Sequence, residues 1–210
     1  MIDCFSWADA HAFGDALAEH YRLRHRVFVQ DLNWRDMTTV NGMEWDRYDR
    51  PDSWYLVARD TSGAMVGTLR LLPTTGAYMI KDLWPERIDG GPPSSPTVWE
   101  GSRFCTAPGL PVRQSQHVAS LILAGAVAFG ARFGIETILA VTTPSVVRGV
   151  FDRSGLRSHP AGPTWQVEGQ TVMVNATRTR PEDYAVIKAR LNLPADPLVF
   201  SAPAARVIAA

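Results

Sequence analysis

Residues 112–134, VRQSQHVASLILAGAVAFGARFG, limit the possible folds more than any other stretch of this chain. After the first turn the side chains are small or apolar on most faces, so a helix here has to be buried, and Gly134 supplies its stop. No stretch holds the ~18 consecutive apolar residues of a membrane helix, so a soluble chain is expected. A buried helix needs a core around it, and 210 residues at 46% hydrophobic suffice for one such domain while leaving little for a second.

The flanking sequence supplies the partners. From Asp9 to Gln30 the apolar positions Phe13, Leu17, Tyr21, Val27 and Phe28 fall near helical spacing and predict an opening helix. Residues 31–53 are polar, broken by Asn-Gly and Arg-Pro, and hold two Trp and five Asp, which reads as a long irregular loop of the functional kind. WYLVARD (54–60) and MVGTLRLLP (65–73) predict an antiparallel hairpin, and TVWEGSRFC (97–105) a third strand. After the buried helix come a short strand, ETILAVT (136–142), a helix opened by Pro144 and closed by Gly155, two strand-like runs, PTWQVEG and TVMVNAT, and a helix from Pro181. The Pro/Ala-rich tail, 194–210, is expected to be loosely held. This order describes a single α+β domain with one mixed sheet.

Charge excludes more than it assigns. With 21 basic and 21 acidic residues, the chain lacks the balance of a nucleic-acid binder. The halves differ: 11 basic and 15 acidic residues precede Cys105, and 10 and 6 follow it, so the second half could face an anionic carrier. Cys4 and Cys105 stand in no metal-like spacing and read as free thiols. His11, His20, His25, His117 and His159 form no HExxH pair, so no metal site is expected. The first twenty residues carry acidic groups and no signal-peptide pattern, which predicts a cytoplasmic protein.

The chemistry-bearing residues concentrate in the loop and the first strands: Trp34, Trp45, Asp46, Asp49, Arg70, Trp99, Glu100 and Arg103. Within WEGSRF, strict alternation puts Glu100 and Ser102 on one face and Arg103 on the other, whereas a β-bulge would bring all three together. Alone, this pattern is better matched by solvated charges on an edge strand.

The order of elements resembles the GNAT-type acyltransferase architecture, an α/β/α sandwich with a central mixed sheet and a V-shaped splay that admits the thioester. Six separated motifs narrow this: RHRVF (24–28) with Trp34, EWDRYD (44–49), YLVARD, GTLRLLPTT (67–75), KDLWP (81–85) and WEGSRF (99–104). In this order and spacing the series, covering roughly residues 22–105, resembles the acyl-homoserine-lactone synthases, the LuxI-type autoinducer synthases of bacterial quorum sensing. The resemblance divides the domain into a motif-rich half, 1–105, and an acyl-pocket half, 106–193.

It implies amine acylation and lactonisation of S-adenosylmethionine (SAM), consumed as a substrate with no cofactor, by an acyl group on acyl carrier protein or coenzyme A (CoA). Carried over, Arg24, Phe28 and Trp34 would line the SAM site, and Glu100, Asp46 and Arg103 would act at the reacting atoms, with Asp49, Arg70 and Ser102 completing the polar network. Glu100 is the first candidate base and Asp46 the second. Trp84, where the family usually has Phe, Phe104, Thr142 and Thr143 would shape the acyl pocket. Thr142 and Thr143 could also be turn residues capping helix 144–155. An ordinary N-acyltransferase acting on another amine is the alternative, but TAPGLPVRQSQHVAS lacks the Q/R-x-x-G-x-G/A loop that cradles a CoA pyrophosphate. A ligand-sensing module fits the clustered Asp, Glu and Arg less well.

Overall fold

The structure, a computed structural model, describes residues 1–34 and 37–200. Strand β1 (Ile2–Ser6) opens the chain. A 3-10 turn, Ala10–Phe13, ends at Gly14, and α1 (Ala16–Arg24) runs straight into a π-helical turn, His25–Asp31. The two-residue strands β2 (Thr39–Val40) and β3 (Met43–Glu44) form a hairpin whose Asn41 and Gly42 both have positive φ, as a tight primed turn requires. Then follow β4 (Trp54–Arg59), β5 (Met65–Pro73), the short α2 (Met79–Leu83), β6 (Val98–Thr106) and α3 (Val112–Phe133). After β7 (Thr137–Thr142), α4 runs through three joined pieces, Pro144–Val146, Val147–Phe151 and Asp152–Ser154. Strands β8 (Ser158–Pro160), β9 (Trp165–Val167) and β10 (Gln170–Arg178), helix α5 (Pro181–Leu191) and β11 (Leu198–Phe200) complete the fold.

One sheet runs in the order β11-β1-β4-β5-β6-β7-β10-β8, with β9 on β10. It is mixed, because β1 with β11 and β6 with β7 are parallel pairs. Helix α3 lies buried over one face, as its apolar circumference demands, packed on Ile2, Leu56, Leu69 and Leu71. The approach is close: a Cβ on Gly125 would sit 3.2 Å from Ile2 and 3.3 Å from Leu56. The opposite face carries α1, whose Ala16 and Leu23 pack with Phe5, Tyr55 and Val57.

Strands β6 and β7 pair only from Val98 to Glu100 against Thr137 to Leu139. Beyond that point β6 continues to Thr106 on β5 and β7 to Thr142 on β10 without pairing to each other, which is the expected V-shaped splay.

Several expectations are corrected. The opening helix is not continuous from Asp9, because Gly14, at φ 62°, separates its first turn from α1. The irregular loop 31–53 contains the β2–β3 hairpin, and its residues 35 and 36 lie outside the described residues. Strands β1 and β8 and helix α2 were not expected; β1 is buried on both faces and so lacks the alternation that marks a strand. In the tail, Leu198–Phe200 is held as an edge strand on β1, while 201–210 lie outside the described residues.

Candidate active site

The bulge anticipated in WEGSRF is present. Thr68 of β5 faces Cys105 and Arg70 faces Ser102, so β6 spends one extra residue there, and Arg103 has a positive φ of 55°. Glu100 and Ser102 already share a face by alternation, and the bulge swings the Arg103 side chain to the same side, where it meets Glu44 and Asp46.

Around it lies an assembly of three arginines and three carboxylates. Arg70 grips Asp46 with two nitrogens at 2.6 and 3.1 Å, and its Nε donates to Ser102 Oγ at 3.1 Å. Arg24 takes both oxygens of Asp49 at 2.8 and 2.9 Å and binds Glu44 through Nε. Arg103 reaches Asp46 Oδ2 at 2.7 Å and Glu44 Oε1 at 3.2 Å. Arg24, Arg70, Glu44 and Asp49 are buried, so each charge depends on its partners. Burial pushes the Asp49 carboxyl up, but Arg24, Arg70 and the Asp46 amide outweigh it and hold it at about 2.

His20 stands behind this assembly, four residues before Arg24 on α1. Arg24 Nη1 donates to His20 Nε2 at 3.2 Å, so Nδ1 carries the hydrogen and donates to Thr68 Oγ1. Burial and then the three arginines lower its pKa well below the ordinary range, so the ring is neutral.

Glu100 is nearly sealed, at 1% exposure. Its two oxygens accept the amides of Met79 and Ile80 at the start of α2. Burial raises its pKa to about 7, although those amides and Arg70 pull the other way.

A cavity of about 620 Å3 passes through the splay. On the polar side Phe28 and Trp34 stack at 4.9 Å, with the Arg103 guanidinium 5.7 Å from the Phe28 ring centre. On the other side the cavity enters the apolar space between the sheet, α3 and α4, bounded by Leu123, Val127 and Phe151.

The expected site residues separate into two layers. Phe28, Trp34, Trp84, Glu100, Ser102, Arg103, Phe104, Thr142 and Thr143 line the cavity. Arg24, Asp46, Asp49 and Arg70 stand outside that lining, paired with one another behind the cavity wall. Arg24 ends α1, and Phe28 sits on the π-helical turn that follows it. Thr143 Oγ1 accepts the Val146 amide at 3.3 Å and so caps α4. Sequence reasoning missed Glu44 and His20 as site residues. Glu44 leads the acidic run 44–49, and His20 carried only its i,i+4 spacing to Arg24. Met79 was missed as well; its sulfur lies 3.4 Å from both Arg70 and Arg103.

A splayed mixed sheet with a buried carboxylate and a bulged strand at the opening defines an acyltransferase of the GNAT-like fold. An acyl-CoA N-acyltransferase from Pseudomonas aeruginosa shares that fold, with a TM-score of 0.55 at 16% identity over 85% of this chain and 97% of that one. The chain belongs to the autoinducer synthase family, whose model matches residues 11–183, well into the half that the six motifs leave uncovered. It is 40% identical over 164 residues to an acyl-homoserine-lactone synthase of Ralstonia solanacearum, covering 76% of this chain and 79% of the relative. With a Pseudomonas aeruginosa synthase the identity is 35% over 175 residues, covering 82% and 84%. The structure of BjaI, a CoA-dependent acyl-homoserine lactone synthase with SAM and isopentyl-CoA, superposes with a TM-score of 0.85 at 28% identity, over 96% of this chain and 93% of that one.

Proposed function

We propose that this enzyme joins the amine of SAM to an acyl group delivered as a thioester on acyl carrier protein or CoA, then closes the product to an N-acyl-L-homoserine lactone with release of methylthioadenosine. The observation that carries this reading is the buried Glu100 carboxylate at the point where β6 and β7 part.

SAM lies on the polar side, its sulfonium against the stacked Phe28 and Trp34, where a cation over an aromatic face gains about 0.5–2 kcal/mol. Its α-amino group titrates near ~7.7–8.0, so a carboxylate poised at about 7 is matched to remove the proton, directly or through water. The freed amine attacks the thioester carbonyl, and backbone N–H groups on the β7-facing edge of the bulged stretch of β6 stabilise the oxyanion. Collapse expels the thiolate, which leaves as the thiol. The homoserine carboxylate then displaces the thioether from the sulfonium; a neutral leaving group needs no acid, so positioning suffices. Arg103, the one arginine of the assembly on the cavity wall, is placed to meet that carboxylate. Arg24, Arg70, Asp46 and Asp49 hold Arg103 and Ser102 in register.

Incubation with SAM and a panel of acyl-CoA and acyl-carrier-protein thioesters should release lactone and methylthioadenosine in equal amounts by mass spectrometry, since both come from one SAM molecule. Free thiol without methylthioadenosine would indicate an N-acyltransferase acting on another amine. Failure of every donor, with folded protein shown to bind SAM, would overturn the reading.

A further inference from the structure

The proposed reaction leaves His20 without a task, although it is fully buried against the arginine assembly. What it does there follows from where the Arg24 hydrogens go. Arg24 Nε binds Glu44, and one Nη1 hydrogen is shared by the two oxygens of Asp49. The second Nη1 hydrogen goes to His20 Nε2. A fourth carboxylate at that place would add surplus negative charge to three arginines and three carboxylates that already balance, whereas a neutral imidazole supplies a lone pair and no charge. The lone pair faces Arg24 in one tautomer only. Thr68 Oγ1 fixes that tautomer by accepting the Nδ1 hydrogen. The Tyr55 ring meets the imidazole edge to face, 4.6 Å between centres, and donates its own hydroxyl to Asp49 at 2.9 Å.

This contact also decides how Arg24 stands toward Arg103. Arg24 Nη2 stops 3.7 Å from Asp46 Oδ2 and has no hydrogen-bond partner among the described residues, while Arg103 Nη2 holds that same oxygen at 2.7 Å. Without the His20 acceptor, the Arg24 fork turns toward Asp46 and competes with Arg103 for Oδ2. Glu44, which joins Arg24 to Arg103, shifts with them. Arg103 feels this most, because its φ of 55° is held by side-chain partners and not by backbone preference. We infer that His20 is a positioning residue: a neutral acceptor, locked by Thr68, that holds Arg24 off Asp46 and so keeps Arg103 aimed at the carboxylate of SAM. The inference rests on the synthase reading, and its effect falls on SAM because Arg103 stands on the polar side of the cavity.

Two pairs of variants test it, each read by calorimetric titration with SAM and by methylthioadenosine release across the thioester panel. His20→Leu keeps much of the bulk and removes the acceptor; it should weaken SAM binding at least about tenfold and leave KM for the thioester within about twofold. His20→Gln offers an amide oxygen to Arg24 and should recover most of that loss. Thr68→Val frees the tautomer and should weaken SAM binding at least about threefold, whereas Thr68→Ser keeps the hydroxyl and should lose less. Nitrogen NMR of the imidazole should find the hydrogen on Nδ1 in wild type and a mixture of tautomers in Thr68→Val. Wild-type SAM affinity in folded His20→Leu, equal losses in the Leu and Gln variants, or equal rises in KM for SAM and thioester would make His20 a packing residue and overturn the inference. If His20→Leu does not fold, unchanged SAM binding in Thr68→Val overturns it instead. Wild-type enzyme that binds no SAM overturns the synthase reading, and the inference with it.

Discussion

The Glu100 carboxylate accepts the Ile80 amide at 2.7 Å, and through its other oxygen the Met79 amide at 3.2 Å. The proposed base therefore also anchors α2, which brings Met79 against Arg70 and Arg103. Burial raises Glu100 from an ordinary 4.5 to about 7, so turnover should rise with pH through about 7 as the carboxylate forms. Glu100→Gln should cost about 10²–10⁴-fold in kcat and remove that limb of the profile. Because the folded pKa is the higher one, the stability due to the neutral carboxyl is full below about 4.5 and is lost as pH rises through about 7, a loss on the order of 3 kcal/mol. Wild type should thus exceed the Gln variant in stability by more at pH 5 than at pH 8, as urea titrations at the two values would report. Wild-type turnover by the variant would make Glu100 an anchor alone and pass the base role to Asp46.

Asp46 neutralises two arginines at once, Arg70 at 2.6 Å and Arg103 at 2.7 Å. Removing it in Asp46→Ala leaves buried guanidinium groups short of countercharge, which should destabilise the fold by about 3–5 kcal/mol in chemical denaturation. A loss under about 1 kcal/mol would mean that water replaces the carboxylate and the site is open.

Asp49 gives this assembly its acid limit. Its carboxyl is held at about 2, below an ordinary 3.8, so the stability it contributes is present above about 3.8 and lost as pH falls through about 2. Circular dichroism of wild type between pH 4 and 2 should show that loss, and Asp49→Asn should flatten it. An acid transition unchanged in the variant would assign the pH sensitivity to another group.

The arginine partners were only partly legible in the sequence. GTLRLLP and WEGSRF placed Arg70, Glu100 and Arg103 on adjacent strands, because alternation and local spacing carry that information. Bulge and splay were legible through the resemblance and the offset of Arg103. Glu44 and His20 were hidden because their partners are distant in sequence: Glu44 meets Arg103 from 59 residues away, and His20 meets Thr68 from 48. Helix α2 was hidden for a different reason, since what fixes its start is the Glu100 side chain, 20 residues beyond Ile80.

Trp34 stacks on Phe28 at 4.9 Å with the rings 22° from parallel, so it presents a flat face to the cavity. The sulfonium belongs to SAM alone. Trp34→Ala should therefore weaken SAM binding by about 0.5–2 kcal/mol, roughly 2- to 30-fold in Kd, and acyl-thioester binding by less. Separate calorimetric titrations of the two substrates would report this, and equal losses would reassign Trp34 to anchoring the loop.

Thr143 and its neighbour Thr142 were both expected to shape the acyl pocket, where a hydroxyl could hydrogen-bond a 3-oxo group on the chain, and their surroundings differ. Thr143 Oγ1 accepts the Val146 amide at 3.3 Å and pairs with Ser145 Oγ at 2.7 Å, so its hydroxyl is committed to the start of α4. Thr142 ends β7, two residues beyond Ala140 on the same strand and face, with its side chain on the cavity. Thr143→Val should accordingly lose a helix cap, about 0.5–2 kcal/mol, and leave the ratio of 3-oxo to unsubstituted products where it was. Thr142→Val keeps the cap and should be the substitution that moves any such ratio. Thermal melts paired with product analysis of the two variants would decide it: a shifted ratio in Thr143→Val, without a fall in Tm, would return the choice of acyl oxidation state to Thr143.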